Sequence, residues 1–242
     1  MWWNEVRMLA SFAFSYTSRR IPCCGAGDGR EEKLMNRVLE NAERNPESVI
    51  QTMDAFAKSG TWFMSIGDRK GKILDAALQK RKPTLVLELG SYCGYSAVRI
   101  ASQLAIPGSK LFTVEINPRY ADIARQIIDH AGLSSQIHQL PGPLSTHIEA
   151  LQLALKSSSF DFVFMDHSKD YYLEDYLLLK NFKLIGDGSV VFADNLGFPG
   201  SPQFWNYLHR GEGQELETEY HQTKVEYLDW INDTVAISTV RG

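Results

Sequence analysis

Cysteine is scarce in this chain: Cys23, Cys24 and Cys93 are the three among 242 residues. Three cysteines cannot build a disulfide framework, so a reducing compartment, the cytoplasm, is the expected location. An excess of positive charge is also lacking. Lys and Arg number 25 against 29 Asp and Glu, giving a formal net charge of −4 and a pI near 5.9. That balance excludes a protein held to nucleic acid by bulk charge. No apolar run approaches the roughly 18 residues that a membrane-spanning helix needs. A Gly-Lys-Ser/Thr phosphate cradle is absent as well. What remains is ordinary globular material, 44% hydrophobic and 22% charged, long enough to bury a sizeable core without staples.

Residues 1–30 read differently from the rest. They hold Arg7, Arg19, Arg20 and Arg30 against two acids, Glu5 and Asp28. Trp2, Trp3, Phe12 and Phe14 beside arginines can make an interfacial anchor. The Arg and Ser content also fits a transit peptide, and the vicinal Cys23-Cys24 pair fits acylation. A leader that docks loosely on the domain remains the plain alternative. Gly25-Ala26-Gly27-Asp28-Gly29 looks like a linker, so the expected organisation is a leader over 1–30 and one domain over 31–242.

Within 31–242 the pattern alternates. Helical spacing covers Glu31–Glu43, Pro46–Lys58, Gly71–Lys80, Ala97–Leu104, Tyr120–Ala131, Ser145–Leu155, Leu173–Leu184 and Gln203–Arg210. Short apolar runs at Thr84–Leu89, Lys110–Val114, Ile137–Leu140, Phe160–Met165 and Ser189–Ala193 read as strands. Val225–Leu228 and Thr234–Val240 are strand-like and close the chain. Such alternation means βαβ units in one doubly wound α/β domain with a mainly parallel sheet.

Ligands of open α/β sheets sit beyond the carboxyl ends of strands. The first strand runs into Glu88-Leu89-Gly90-Ser91-Tyr92-Cys93-Gly94, a glycine turn that opens a helix. Gly90 and Gly94 let backbone approach a ligand, and the helix start offers free N–H groups. Glu115 closes the next strand, 25 residues after Gly90, where an acid can accept from both hydroxyls of a ribose. The G-x-x-x-G spacing disfavours a dinucleotide, and Glu88 would repel a pyrophosphate. An acid there welcomes a cationic amino-acid portion or a sulfonium, which favours S-adenosylmethionine over NAD or ATP.

Two later strands end in Asp166-His167-Ser168-Lys169 and in Asp194-Asn195. Asp166, Asp194 and the amide oxygen of Asn195 are hard oxygen donors of the kind Mg²⁺ takes; read singly, each is equally a turn residue capping the next helix. Lys169 is in reach of the same site. A free lysine needs a downward shift of ~3 pH units, about 4 kcal/mol, to act as a base near neutrality, and a nearby dication pushes in that direction.

These residues carry a resemblance. The runs 87–99 (Leu-Glu-Leu-Gly-Ser-Tyr-Cys-Gly-Tyr-Ser-Ala-Val-Arg), 114–118, 166–170, 193–195 and 198–200, with Trp62-Phe63-Met64-Ser65-Ile66-Gly67-Asp68 upstream, resemble the catechol O-methyltransferase family. The likeness extends from about Leu34 to the C-terminus. It implies a Rossmann-like sheet of the class I methyltransferase type with helices on both faces, S-adenosylmethionine and Mg²⁺ as cofactors, and a small catechol as substrate. By resemblance, Asp166, Asp194 and Asn195 ligate Mg²⁺ and Lys169 is the general base. Glu226 meets the second catechol hydroxyl, Trp62, Met64 and Pro199 hold the ring, and Asp166, Lys169 and Asn195 also line the substrate. Ile66, Glu88, Gly90, Tyr92, Ser96, Glu115, Ile116, Asp166 and His167 line the cofactor pocket. Two departures stand out: Ser168 replaces the family's usual tryptophan, and Pro143-Leu144-Ser145 replaces its common Ala-Ser-Gln.

The expected reaction is methyl transfer from the sulfonium to one catechol oxygen. The alternatives are a sister enzyme acting on another vicinal diol, such as a caffeoyl thioester or a flavonoid, or a cofactor-binding scaffold that has lost catalysis. An NAD oxidoreductase is more distant. A monomer is expected, with membrane contact confined to the N-terminal residues.

Overall fold

A computed structural model describes residues 27–242. The anchor, acylation and transit readings of residues 1–26 lie outside the described residues. Among the described residues no helix is long and apolar enough to cross a membrane.

Among the described residues three helices precede the sheet: α1 (Arg30–Asn41), α2 (Pro46–Lys58) and α3 (Gly67–Arg81). Then β1 (Leu85–Leu89), α4 (Tyr95–Gln103), β2 (Lys110–Glu115), α5 (Pro118–His130) and β3 (Ile137–Pro141) alternate. They are followed by α6 (Ile148–Leu155), β4 (Phe162–Met165), α7 (Tyr172–Asn181), β5 (Val190–Ala193) and α8 (Pro202–His209). The hairpin β6 (Leu216–Lys224) and β7 (Asn232–Val240) ends the chain. Local chemistry sets several boundaries. Asn45 and Asn117 each precede a proline, and their side chains accept from Ser48 N at 2.9 Å and Arg119 N at 3.0 Å. Pro46 and Pro118 then occupy a helical position whose N–H would have no partner.

The seven strands run in the order β3-β2-β1-β4-β5-β7-β6, parallel from β3 across to β5, with β7 antiparallel to its neighbours. Strand alternation divides the core. Val86, Leu111, Phe162, Phe164 and Phe192 face α1 to α5, packing on residues such as Leu34, Met53, Leu74 and Ile127. Leu87, Leu89, Val163, Met165 and Val191 face α6 to α8, against Leu151, Tyr172, Tyr176 and Phe204. The chain leaves β1 towards β2 on one side and returns to β4 on the other. Between them lies the switch point where loops diverge and ligands of such sheets bind.

The structure corrects two sequence boundaries. Val225–Leu228 is a turn, with Leu228 N donating to Val225 O at 3.0 Å, and the strand is Leu216–Lys224. That strand is the half-exposed sheet edge, so it reads as Glu-Thr-Glu-Tyr-His-Gln-Thr rather than as an apolar run. Helix α3 starts at Gly67, four residues before the expected Gly71. Gly71 is interior, and a Cβ there would lie 2.5 Å from the Arg99 guanidinium carbon. The bare Cα lets α3 approach α4, where Arg99 pairs with Asp75 at 2.7 Å.

Candidate active site

The carboxyl ends of β1, β2, β4 and β5 are in register, so their terminal residues converge. Gly90 N donates to Val114 O, Asp166 N to Leu89 O, and Asp194 N to Met165 O, all at 2.9–3.0 Å. The ladder thus carries Glu88, Glu115, Asp166 and Asp194 to one edge. Gly90 is left-handed (φ 93°), and a Cβ on it would meet the His167 backbone at 2.8 Å. A Cβ on Gly94 (φ 85°) would meet Ala124 at 3.3 Å. Both glycines are thus required by the close approach of neighbouring protein.

On the β1–β2 side, Glu115 takes Tyr92 N at 2.7 Å and Asn117 N at 2.9 Å, one on each oxygen. This fixes its carboxylate and leaves further lone pairs. The Tyr92 hydroxyl donates to Glu31 at 2.6 Å. Glu88 is fully buried; Thr113 Oγ1 donates to its Oε2, while Oε1 is buried with no partner. Burial pushes Glu88 up to about 7, against the pull of the Ser96 and Thr113 hydroxyls. Ser91 Oγ is likewise buried and unpartnered. An acid and a hydroxyl held ready beside the β1 turn fit the polar amino-acid end of S-adenosylmethionine. Ile66 is buried nearby on the loop entering α3, and Ile116 is 70% exposed at the rim. His167 touches the turn through its backbone; its ring stacks on Tyr172, centroids 4.9 Å apart, with Nε2 3.0 Å from Asp175.

On the β4–β5 side two charged clusters meet. Lys169 Nζ donates to Asp166 Oδ1 at 2.8 Å and to the Tyr172 hydroxyl at 2.7 Å. That buried hydroxyl shares its one proton between Met165 O at 2.6 Å and Asp194 O at 3.0 Å, tying the two strand ends together. Beside it, Lys70 from α3 is fully buried. Its Nζ pairs with Asp194 Oδ2 at 2.7 Å, Asp233 Oδ2 at 3.1 Å and Glu226 Oε1. Desolvation works against the Lys70 ammonium, yet the three carboxylates hold its pKa well above the ordinary lysine value. Asp194 Oδ2 is thereby occupied, and Asp194 Oδ1 is buried with no partner. Burial, seconded by Asp166 and Glu226 and opposed by Lys70, pushes Asp194 well above the usual carboxylate range.

The donor set fits a hard dication. Asp194, Glu226 and Asp233 place carboxylate oxygens within 4.8 Å of one another, but Lys70 Nζ already sits among those oxygens. Asp194 Oδ1 is left without a partner, and Asp166 holds Lys169 through Oδ1. Asn195 spends its amide nitrogen on Asp233 and Glu226, which leaves its oxygen as the donor it could offer a cation. With every group ionised, four carboxylates around two ammonium groups would sum to two negative charges, the complement of Mg²⁺.

The apolar wall forms next to this edge. Trp62, Val225 and Leu228 are buried together, with Met64, Phe198, Tyr227 and Ile231 packed on them. Trp62 Nε1 donates to Glu226 O at 3.1 Å, which fixes the ring to the acid's backbone. Pro199 is exposed on the loop after β5, and Ser168 is exposed after β4. Ser201 Oγ donates to Lys169 O at 2.7 Å and joins those two loops.

Lys70, Asp233 and Tyr172 escape the sequence reading. Lys70 does carry a signal, because it shares an i, i+4 stripe with the buried Leu74 and Leu78. Asp233 carries none, since its place beside Asp194 depends on the antiparallel register Ala193↔Ala236.

A seven-stranded sheet of this order, with a glycine turn after β1 and an acid closing β2, defines a class I methyltransferase. The chain belongs to the O-methyltransferase family, S-adenosylmethionine-dependent enzymes whose sequence profile matches residues 40–204. Among its relatives is mouse catechol O-methyltransferase, 41% identical over 216 residues, 89% of this chain and 80% of the relative. Zebrafish catechol O-methyltransferase B is 40% identical, over 82% of this chain and 74% of the relative. In structure, an O-methyltransferase from Bacillus cereus in complex with SAH superposes with a TM-score of 0.65 at 22% identity. That match covers 87% of this chain and 96% of the other and bears on the fold.

Proposed function

We propose that the protein transfers the methyl group of S-adenosylmethionine to one hydroxyl of a catechol, with Mg²⁺ held by Asp166, Asp194 and Asn195 and with Lys169 as general base. The observation that carries this reading is the juxtaposition, at adjacent strand ends, of a lysine on Asp166 with the buried unpartnered Asp194 Oδ1. Catechol O-methyltransferases among the relatives support the substrate class.

In this reading Glu115 holds the ribose, while Glu88 faces the cationic end of the cofactor. Gly90, Tyr92, Ser96, Ile66, Ile116 and His167 complete that pocket. Trp62, Met64 and Pro199 confine the aromatic ring and exclude water, and Glu226 accepts a hydrogen bond from the hydroxyl that is not methylated. When bound, Mg²⁺ stabilises an ionised phenolic oxygen and disfavours a second cation beside it. Lys169 Nζ, as the neutral amine, takes the proton of the reacting hydroxyl as that oxygen gains the methyl and the sulfonium becomes a thioether. Tyr172 keeps Nζ aimed during the transfer by accepting one of its N–H bonds. Fixing both reactants in line supplies a large part of the acceleration. A monomer in the cytoplasm goes with this reading.

The test is methyl transfer from labelled S-adenosylmethionine to 3,4-dihydroxybenzoate, with Mg²⁺ and then with EDTA. Labelled product that disappears with EDTA supports the proposal. Cofactor binding without product, at saturating Mg²⁺, would assign the chain to another diol or to a scaffold without catalysis.

A further inference from the structure

Asn195 can serve a cation only through its amide oxygen, and an amide by itself has no preference between its two faces. Its backbone is left-handed, with φ 55°, so the side chain leaves the end of β5 towards β7 and the 226 turn. There Asn195 Nδ2 meets Asp233 Oδ2 at 2.8 Å and Glu226 Oε1 at 3.3 Å. Both partners are carboxylate oxygens, which can only accept while ionised.

Asp233 is itself tightly specified. Its Oδ1 accepts from Thr234 N at 2.7 Å, Phe198 N at 2.9 Å and Gly197 N at 3.2 Å. Its Oδ2 accepts from Lys70 Nζ at 3.1 Å as well as from Asn195. With five donors on two oxygens and 1% exposure, the carboxylate has no freedom to turn. Gly197 reinforces the arrangement, since a Cβ there would lie 2.7 Å from Thr234 N.

We infer that Asp233 is the positioning residue of the metal site: it holds the Asn195 amide with nitrogen turned away and oxygen turned towards the cation, while Lys70 balances the charge. This rests on the Mg²⁺ reading given above. Every contact that orients the amide is made between protein groups, so the site is preorganised rather than assembled by the ion.

Asp233→Asn is the direct probe. Three backbone donors outnumber two side-chain donors, so the new amide keeps its oxygen on the 197, 198 and 234 N–H groups. Its nitrogen then faces Asn195, whose amide must turn over or lose the bond. Mn²⁺ binding to the cofactor-free protein, followed by electron paramagnetic resonance, reads the effect without catalysis. The expected result is at least tenfold weaker Mn²⁺ binding with S-adenosylmethionine affinity changed less than twofold.

Removing one negative charge also weakens cation binding, and the double variant Lys70→Met/Asp233→Asn separates the two causes because it restores the net charge. Orientation predicts that the double variant stays at least tenfold weak; recovery of wild-type affinity would overturn the assignment and leave a charge effect. Should the variants not fold, ¹⁵N NMR of the wild-type protein decides. Two slowly exchanging Asn195 Nδ2 protons, unchanged on adding Mg²⁺, are expected, and a freely rotating amide refutes the proposal. No Mn²⁺ binding by wild type would refute the Mg²⁺ reading and this inference with it. Wild-type binding matched by Asp233→Asn would refute the inference alone.

Discussion

Glu88→Gln should make the cofactor-free enzyme more stable and its cofactor binding worse, each with a defined pH signature. Glu88 sits on β1, fully buried, with one oxygen on Thr113 and the other unpartnered. Burial raises it from the ordinary 4.5 to about 7. At roughly 1.4 kcal/mol per pH unit that is about 3 kcal/mol against the charged form. As pH rises through 4.5 the unfolded chain releases this proton while the folded protein retains it. Folding stability therefore falls between about 4.5 and 7 and levels off above.

Glutamine keeps the shape and does not titrate. Without cofactor, the variant should exceed wild type by several degrees in melting temperature at pH 8, where about 1 kcal/mol is worth roughly 2–4 °C in a chain of this size. At pH 5 the difference should shrink to a degree or two. Binding runs the other way, because a cationic ligand selects the ionised carboxylate. Affinity of wild type for S-adenosylmethionine should climb about tenfold from pH 6 to pH 8 if it binds that form alone, with proton release at the lower pH; the glutamine variant should lose this component. Calorimetric melting at pH 5 and 8, with titrations in two buffers of different ionisation enthalpy, measures all of it. A melting difference equal at both pH values would refute the titration of Glu88. A shared pH dependence of binding would remove it from the cofactor's cationic end.

Lys169→Ala should lower kcat by roughly 10²–10⁴-fold, the range for a positioned base, with S-adenosylmethionine affinity little changed; equal losses in kcat and cofactor affinity would contradict a base role. Glu226→Gln should raise KM for catechols by about tenfold or more, the worth of a hydrogen bond to a charged group. Steady-state kinetics at saturating cofactor measures this, and an unchanged KM would take Glu226 out of the substrate site.

The sheet was legible because its signals are local. Phe160–Met165 and Ser189–Ala193 are apolar runs buried on both faces, and Asn45-Pro46 and Asn117-Pro118 announce helix starts by capping chemistry. The acids following those strands could be assigned to one edge because a parallel sheet places all its carboxyl ends together. Edge strand β6 hid its identity, since a strand with one open side has no reason to be apolar.

Residues whose importance is relational stayed out of reach. Lys70, on an element expected to begin only at Gly71, becomes part of the site because α3 starts a turn earlier and Gly71 admits Arg99. Asp233 reads as an acid before a strand until the antiparallel pairing of β5 with β7 sets it beside Asp194 and Asn195. Chain order could therefore specify the cofactor edge and the reacting side chains, which follow directly from strand ends. The direction in which Asn195 points, and the balance of two ammonium groups against four acids, arise from contacts across as many as 163 residues. Hydrogen-bond direction and buried charge are properties of neighbours in space, and no spacing along the chain encodes them.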